Sequence, residues 1–176
     1  MANKHTLFDT EFSKIVWCYA EWQPRYANIC AEFNEGLPDM TKFTSMVPTL
    51  MIVDDLMHEC NESISKLFTK WSHHRNISVL LVMQNIFHQK KGLRDVSLNA
   101  HYLVLFKNPR DKAQILYLSR QIFPENQKFL QEAFNDATKK AHGYLMIDLT
   151  QGMADDYRVR TGIFPHEDQY AYVPKN

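Results

Sequence analysis

Two adjacent aspartates, Asp54 and Asp55, close the apolar run in "LMIVDDLMHE", residues 50–59. Carboxylates in that place can hold a divalent cation and orient or deprotonate a water molecule. Side by side they repel, so the pair calls for a cation or a hydrogen-bond cluster. The next apolar run, "ISVLLVMQN", ends in Gln84 and Asn85. Polar residues that close neighbouring strands lie at one edge of a sheet, where they can act on one ligand.

Elements with suitable patterns flank these residues. Residues 14–20, "KIVWCYA", are β-branched and aromatic and predict a strand. Pro24 in "EWQPRY" breaks it, and "AEFNEGLPD" predicts a short strand ending in a turn at Gly36 and Pro38. The strand at about 49–55 does not alternate, so both its faces should be covered, as in a central parallel strand. From 56 to 71, Met57, Cys60, Ile64, Leu67, Phe68 and Trp71 recur at helical spacing, with Asp55 at the N-cap position. The strand at about 77–84 is apolar on both faces. "HYLVLF" is a further strand, followed by Asn108 as N-cap, Pro109 at the first helical position and helices at 110–122 and 125–139. "GYLMIDL" is a fifth strand, and "YRVRTGIF" alternates as a half-exposed strand near an edge. The tail at about 165–176 reads as irregular. Strands separated by helices predict an α/β fold with a mostly parallel sheet in a single domain, 1–176. Ligands of such sheets bind at the carboxyl ends of the strands.

Three structures could account for the aspartates. An Asp before a helix caps it, worth about 1 kcal/mol, but that leaves Asp54 without a role. A phospho-acceptor receiver domain also ends a strand in paired acids. It needs a later strand ending in Asp, where this chain has Lys107 and Asn108. In a Walker B strand of a nucleoside triphosphatase, the first acid holds Mg²⁺ and the second serves the attacking water. A polar residue on the next strand then senses the γ-phosphate, and Gln84 fits that place.

Longer motifs carry a resemblance. "LMIVDDLMHE", "KLFTKWSHHRNISVLLVMQNIFHQ", "SLNAHYLVLFKNPRDKAQILYLSRQIFPEN", "ATKKAHGYLMIDL" with "RVRTGIFP", and "KIVWCYAEWQPRY" resemble the packaging ATPases of Polinton (Maverick) virus-like DNA elements. Those are similar to poxvirus-type packaging ATPases, within the FtsK–HerA group of P-loop motors. The likeness runs over about residues 12–165. It implies a three-layer P-loop NTPase-like (ASCE) fold and a homo-oligomeric, often hexameric, ring that uses ATP and Mg²⁺ to move double-stranded DNA into a capsid. It implies Asp54 as the Mg²⁺ acid, through water, Asp55 at the catalytic position and Gln84 as sensor. Many relatives have Glu where Asp55 stands, which keeps Glu59 as an alternative base. Arg75, before the sensor strand, takes the place of an arginine finger reaching a neighbouring subunit.

The family's phosphate cradle is GxxxxGK[ST], and it does not occur in this chain; none of Gly36, Gly92, Gly143, Gly152 and Gly162 begins it. Its backbone N–H groups, Lys and Ser/Thr supply most of the grip on phosphates and Mg²⁺. The expectation is an N-terminally truncated fold without the P-loop strand, with sheet edges left open or two strands forced to close up, and no ATP hydrolysis by this chain alone. A non-catalytic, host-retained module making protein or DNA contacts is the alternative.

The remaining candidates are weaker. Lys90, Lys91 and Arg94 in "FHQKKGLR" are placed to touch a DNA backbone. Arg158 and Arg160 share a strand and offer the same chemistry. Trp17, Trp22 and Tyr26 suit a core better than a base-stacking platform. His73, His74, His58 and Cys60 match no zinc spacing. Lys+Arg and Asp+Glu balance at 20 each, so bulk charge selects no partner. No apolar run reaches the ~18–20 residues of a membrane span. Cys18, Cys30 and Cys60 read as reduced thiols of an intracellular protein, nuclear or cytoplasmic.

Overall fold

The computed structural model describes residues 4–56, 61–84 and 91–175, and the side chains within them except those of 4, 5, 61 and 91–94. The chain forms two compact units, Met1–Asn99 and Ala100–Asn176.

In the first unit, after a short helix α1 (Lys4–Leu7), the strands are β1 (Lys14–Tyr19), β2 (Glu32–Glu35), β3 (Thr49–Asp54) and β4 (Ile77–Val82). They make one fully parallel sheet in the order β2-β1-β3-β4. β3 is buried along its whole length and paired on both sides, as its unbroken apolar run requires. Between β3 and β4 the chain is helical from Asn61 to His74: α2 (Asn61–Lys66), a π-helical turn (Leu67–Trp71) and α3 (Ser72–His74). Ile64 and Leu67 face the sheet, with Phe68 and Trp71 packed against the same core. Helix α4 (Lys91–Asn99) adds Val96 to that core and Asp95, which accepts a hydrogen bond from Ser65 at 3.1 Å. Met57 and Cys60 of the expected stripe lie outside the described residues.

One strand departs from expectation. β4 alternates in burial because it is the sheet's last strand. Ile77, Val79 and Leu81 enter the core, while Leu80 and Val82 are 41% and 45% exposed. Its apolar second face has no full cover, and its outer backbone edge pairs with no described strand.

The second unit corrects the parallel expectation. β5 (Tyr102–Phe106), β6 (Tyr144–Asp148), β7 (Val159–Thr161) and β8 (Tyr170–Ala171) form an antiparallel sheet in chain order. A single crossover helix returns the chain to the start of a strand and yields a parallel neighbour. Here two helices, α5 (Ala113–Ile122) and α6 (Gln127–Ala137), pack on each other and return it to the end where β5 finished. β6 must then run the other way. Phe129, Leu130 and Ala133 of α6 are buried with Leu145, Ile147 and Val159 of the sheet. The tail is less irregular than expected: β8 pairs with β7, and the Tyr172 hydroxyl donates to Asp136 at 2.9 Å. Asn108 makes a turn, accepting from the Arg110 N–H at 3.0 Å, and α5 starts only at Ala113. Asn126 is a true N-cap, accepting from the Phe129 N–H at 3.3 Å. The α/β class stands. Among the described residues no helix is long and apolar enough to cross a membrane.

Candidate functional site

The parallel register sets the site. Glu35, Tyr19, Asp54 and Val82 stand level across β2, β1, β3 and β4, at the carboxyl ends of the strands. Asp54 is the last residue of β3 and is 7% exposed. A buried carboxylate needs partners. Its Oδ2 accepts a hydrogen bond from the Tyr26 hydroxyl at 2.8 Å and lies 3.7 Å from the Arg25 guanidinium.

Both partners come from one short turn. Pro24 opens a 3₁₀ turn (Pro24–Asn28) after extended Gln23, its fixed φ suiting the first position. The Tyr26 N–H donates to the Gln23 carbonyl and the Ile29 N–H to the Tyr26 carbonyl, each at 2.9 Å. Tyr26 is 1% exposed and sits among rings: Trp17 at 5.3 Å, Trp22 at 5.6 Å, Tyr19 at 5.8 Å and Phe33 at 5.9 Å between centroids. Burial, and then the hydrogen bond to Asp54, push the phenol above its ordinary value, so it stays a donor. The Arg25 guanidinium lies over the Tyr26 ring at 5.7 Å and is otherwise 69% exposed.

Asp55 has a different environment. It is exposed, with φ of +57°, in the left-handed region that Asp tolerates better than most residues. Its N–H donates to the Val82 carbonyl at 3.4 Å, which carries the β3–β4 ladder one residue further. Leu56 after it is not helical, so Asp55 is not the N-cap the spacing predicts. The two acids share an end of the strand but not a setting.

Gln84 lies two residues beyond Val82, exposed, in the bend that follows β4. Asn85, Glu59, His58, Cys60 and Lys90 lie outside the described residues. Lys91 and Arg94 fall in the first turns of α4, with their side chains outside the described set. Arg75 is engaged within its own chain. One guanidinium nitrogen donates to the Met40 carbonyl and, at 2.8 Å, to the Phe43 carbonyl. A finger reaching another subunit would have to give up both bonds. His73 and His74 are exposed, and the described residues contain no group of three His, Cys, Asp or Glu able to hold a metal.

The second unit has its own buried acid, which the sequence reading passed over. Asp148 ends β6 at 1% exposure and accepts from the Thr150 N–H and hydroxyl at 3.0 and 2.6 Å and from Arg160 at 2.9 Å. Arg158 donates to the carbonyls of Asp148, Thr150 and Met153 and to the Asp155 carboxylate. Both arginines are thus engaged within their own unit, Arg158 at the turn after β6 and Arg160 at the buried acid. The signal was present: "GYLMID" ends a buried run in an acid just as "LMIVDD" does.

Mg²⁺ takes near-octahedral oxygen ligation. At Asp54 the ligand oxygen already accepts a phenol proton and faces a guanidinium, and no second described acid shares its setting. The arrangement does not fit Mg²⁺ as it stands. Compared with protein-family models, curated proteins and solved structures, the chain matches none.

Proposed function

We propose that this chain carries the Walker B and sensor half of an ATPase module similar to the DNA-packaging ATPases of Polinton-type elements, and that it does not hydrolyse ATP by itself. The observation that carries this is the register: Asp54 ends β3 level with Val82 of β4, and Gln84 follows two residues on. An acid and an amide at the carboxyl ends of adjacent parallel strands can serve one phosphate ligand. The long motifs that resemble the family surround these same residues. In the family that the motifs resemble, ATP and Mg²⁺ are the ligands, double-stranded DNA and capsid components the partners, and a ring of subunits the assembly. The chain contains no GxxxxGK[ST], which removes most of the grip on the phosphates.

Phosphate release by the purified 176-residue protein tests the proposal. We expect none with ATP and Mg²⁺. Turnover that Asp54→Ala abolishes would sink it.

A second reading is favoured by one contact. Tyr26 and Arg25 already engage one oxygen of Asp54 without a nucleotide or a cation, as suits a non-catalytic module that binds protein or DNA. Nucleotide binding that weakens in Asp54→Asn supports the ATPase-like reading. Salt-dependent DNA binding with no nucleotide binding supports the module.

A further inference from the structure

We infer that β5 is a self-recognition edge: two copies of this chain pair their β5 strands antiparallel across a twofold axis at Val104, joining two four-stranded sheets into one of eight strands. Nothing in this pairing depends on how Asp54 is used.

The backbone groups of β5 point the right way. β5 runs antiparallel to β6, with Leu103 opposite Ile147 and Leu105 opposite Leu145. One pair beyond that ladder, the Leu149 N–H donates to the His101 carbonyl at 2.7 Å. Hydrogen-bonded pairs alternate with non-bonded pairs along an antiparallel ladder. His101, Leu103 and Leu105 therefore direct their N–H and C=O groups at β6. Tyr102, Val104 and Phe106 direct theirs outward, where no described strand pairs with them.

The same three residues carry an uncovered apolar row. Every second side chain of a strand shares a face. Tyr102, Val104 and Phe106 are 54%, 44% and 61% exposed. β5 has no charged residue and no proline, the devices that keep an edge from pairing.

The row is self-complementary. A twofold pairing centred on Val104 sets Tyr102 of each copy against Phe106 of the other and Val104 against itself. Aromatic and β-branched side chains placed in this way stabilise neighbouring strands. On the other face the register brings Leu103 opposite Leu105. Every outward N–H and C=O of residues 102, 104 and 106 then has a partner. β4, the apolar edge of the first unit, lacks this match: a pairing centred on Leu80 sets exposed Ser78 against Val82. The β5 contact uses the same patch on both copies, so it closes as a dimer.

The strand edge and its row cover on the order of 400 Å² per copy, about half of the ~800 Å² per partner in a standard interface. The dimer is therefore weak and reversible, with a Kd on the order of 100 µM.

Sedimentation equilibrium of the full chain tests it, with Leu80→Lys as the background so that association through β4 does not enter. Val104→Lys and Val104→Glu each set like charges face to face on the axis and should weaken the dimer about tenfold. Mixed one to one, they set Lys against Glu, and association should recover to about the parental strength. Circular dichroism checks that each variant folds. Tyr102→Lys mixed with Phe106→Glu makes a second pair of the same kind and keeps the test decisive where a Val104 variant loses its fold. A chain that stays monomeric at several times the expected Kd overturns the dimer. A dimer that both Val104 variants leave intact uses another surface and overturns it equally. If each variant is monomeric and the mixture is monomeric too, the twofold pairing at Val104 is wrong.

Discussion

The Tyr26 hydroxyl donates to Asp54 at 2.8 Å, across 28 residues of chain. That bond separates two aspartates that are neighbours in sequence. Asp54 is buried beneath a phenol, while Asp55, one residue on, is exposed in a left-handed conformation. A pair that looks like a shared charge is one satisfied acid and one solvated acid.

Tyr26→Phe keeps the ring and deletes only the donor. Loss of a hydrogen bond to a carboxylate should cost about 1–2 kcal/mol, leaving the protein folded. The urea midpoint should fall with an unchanged m-value. An unchanged midpoint would mean that water replaces the phenol at no cost.

Arg75 tests differently. Its guanidinium bonds the carbonyls of Met40 and Phe43, tying the turn before β3 to the end of α3. Arg75→Ala should destabilise the isolated protein by about 1–3 kcal/mol, with Arg75→Lys recovering part of it. A loss under about 0.5 kcal/mol, the range of ordinary surface changes, would return Arg75 to the pool of residues available to a partner.

Alkaline pH should weaken the second unit. Burial first, and then the hydrogen bond to Glu167, raise Tyr144 to about 12; burial and Asp136 raise Tyr172 to about 12. Unfolded tyrosine ionises near 10. Between those values the folded state holds more protons than the unfolded state. Stability is therefore complete below about pH 10 and declines as pH rises toward 12. Unfolding followed at stepped pH should show this slope, and Tyr144→Phe and Tyr172→Phe should each flatten it.

Gly162 has φ of +73°, and a Cβ there would sit 2.0 Å from the Asp168 carbonyl oxygen. Gly162→Ala meets both backbone strain and a clash with main chain, so a loss of about 2 kcal/mol or more is expected. Gly152→Ala, which meets nothing within 4 Å, is the control and should be near neutral. Paired thermal melts decide it, and equal Tm values would contradict the close approach.

β4 ends its sheet with Leu80 and Val82 exposed and no Lys or Pro in the strand to discourage pairing. Edges of this kind associate. Sedimentation velocity should show concentration-dependent self-association that Leu80→Lys reduces. Identical profiles for parent and variant would show that another surface is responsible.

Most of the elements were legible in the sequence. Apolar runs and helical spacing locate β1, β3, β4, β5, β6 and the α5–α6 pair, because local periodicity reflects which face of an element is buried. The same runs place Asp54 at a strand end. Their pairing was not legible. Whether β6 lies parallel or antiparallel to β5 depends on how α5 and α6 fold back on each other, which no spacing within β6 records. The cover of β4's second face was hidden likewise, since an apolar strand looks the same with or without a neighbour.

The site divides along the same line. By itself the sequence determined that an acid and an amide close adjacent strands, because strand ends follow from local pattern. Only the tertiary structure decided what those groups touch: Asp54 meets Tyr26 and Arg25, Arg75 meets two carbonyls, and Arg160 meets Asp148. The physical reason is distance along the chain. Tyr26 lies 28 residues from Asp54 and Phe43 32 from Arg75, and only folding brings such partners within hydrogen-bond distance.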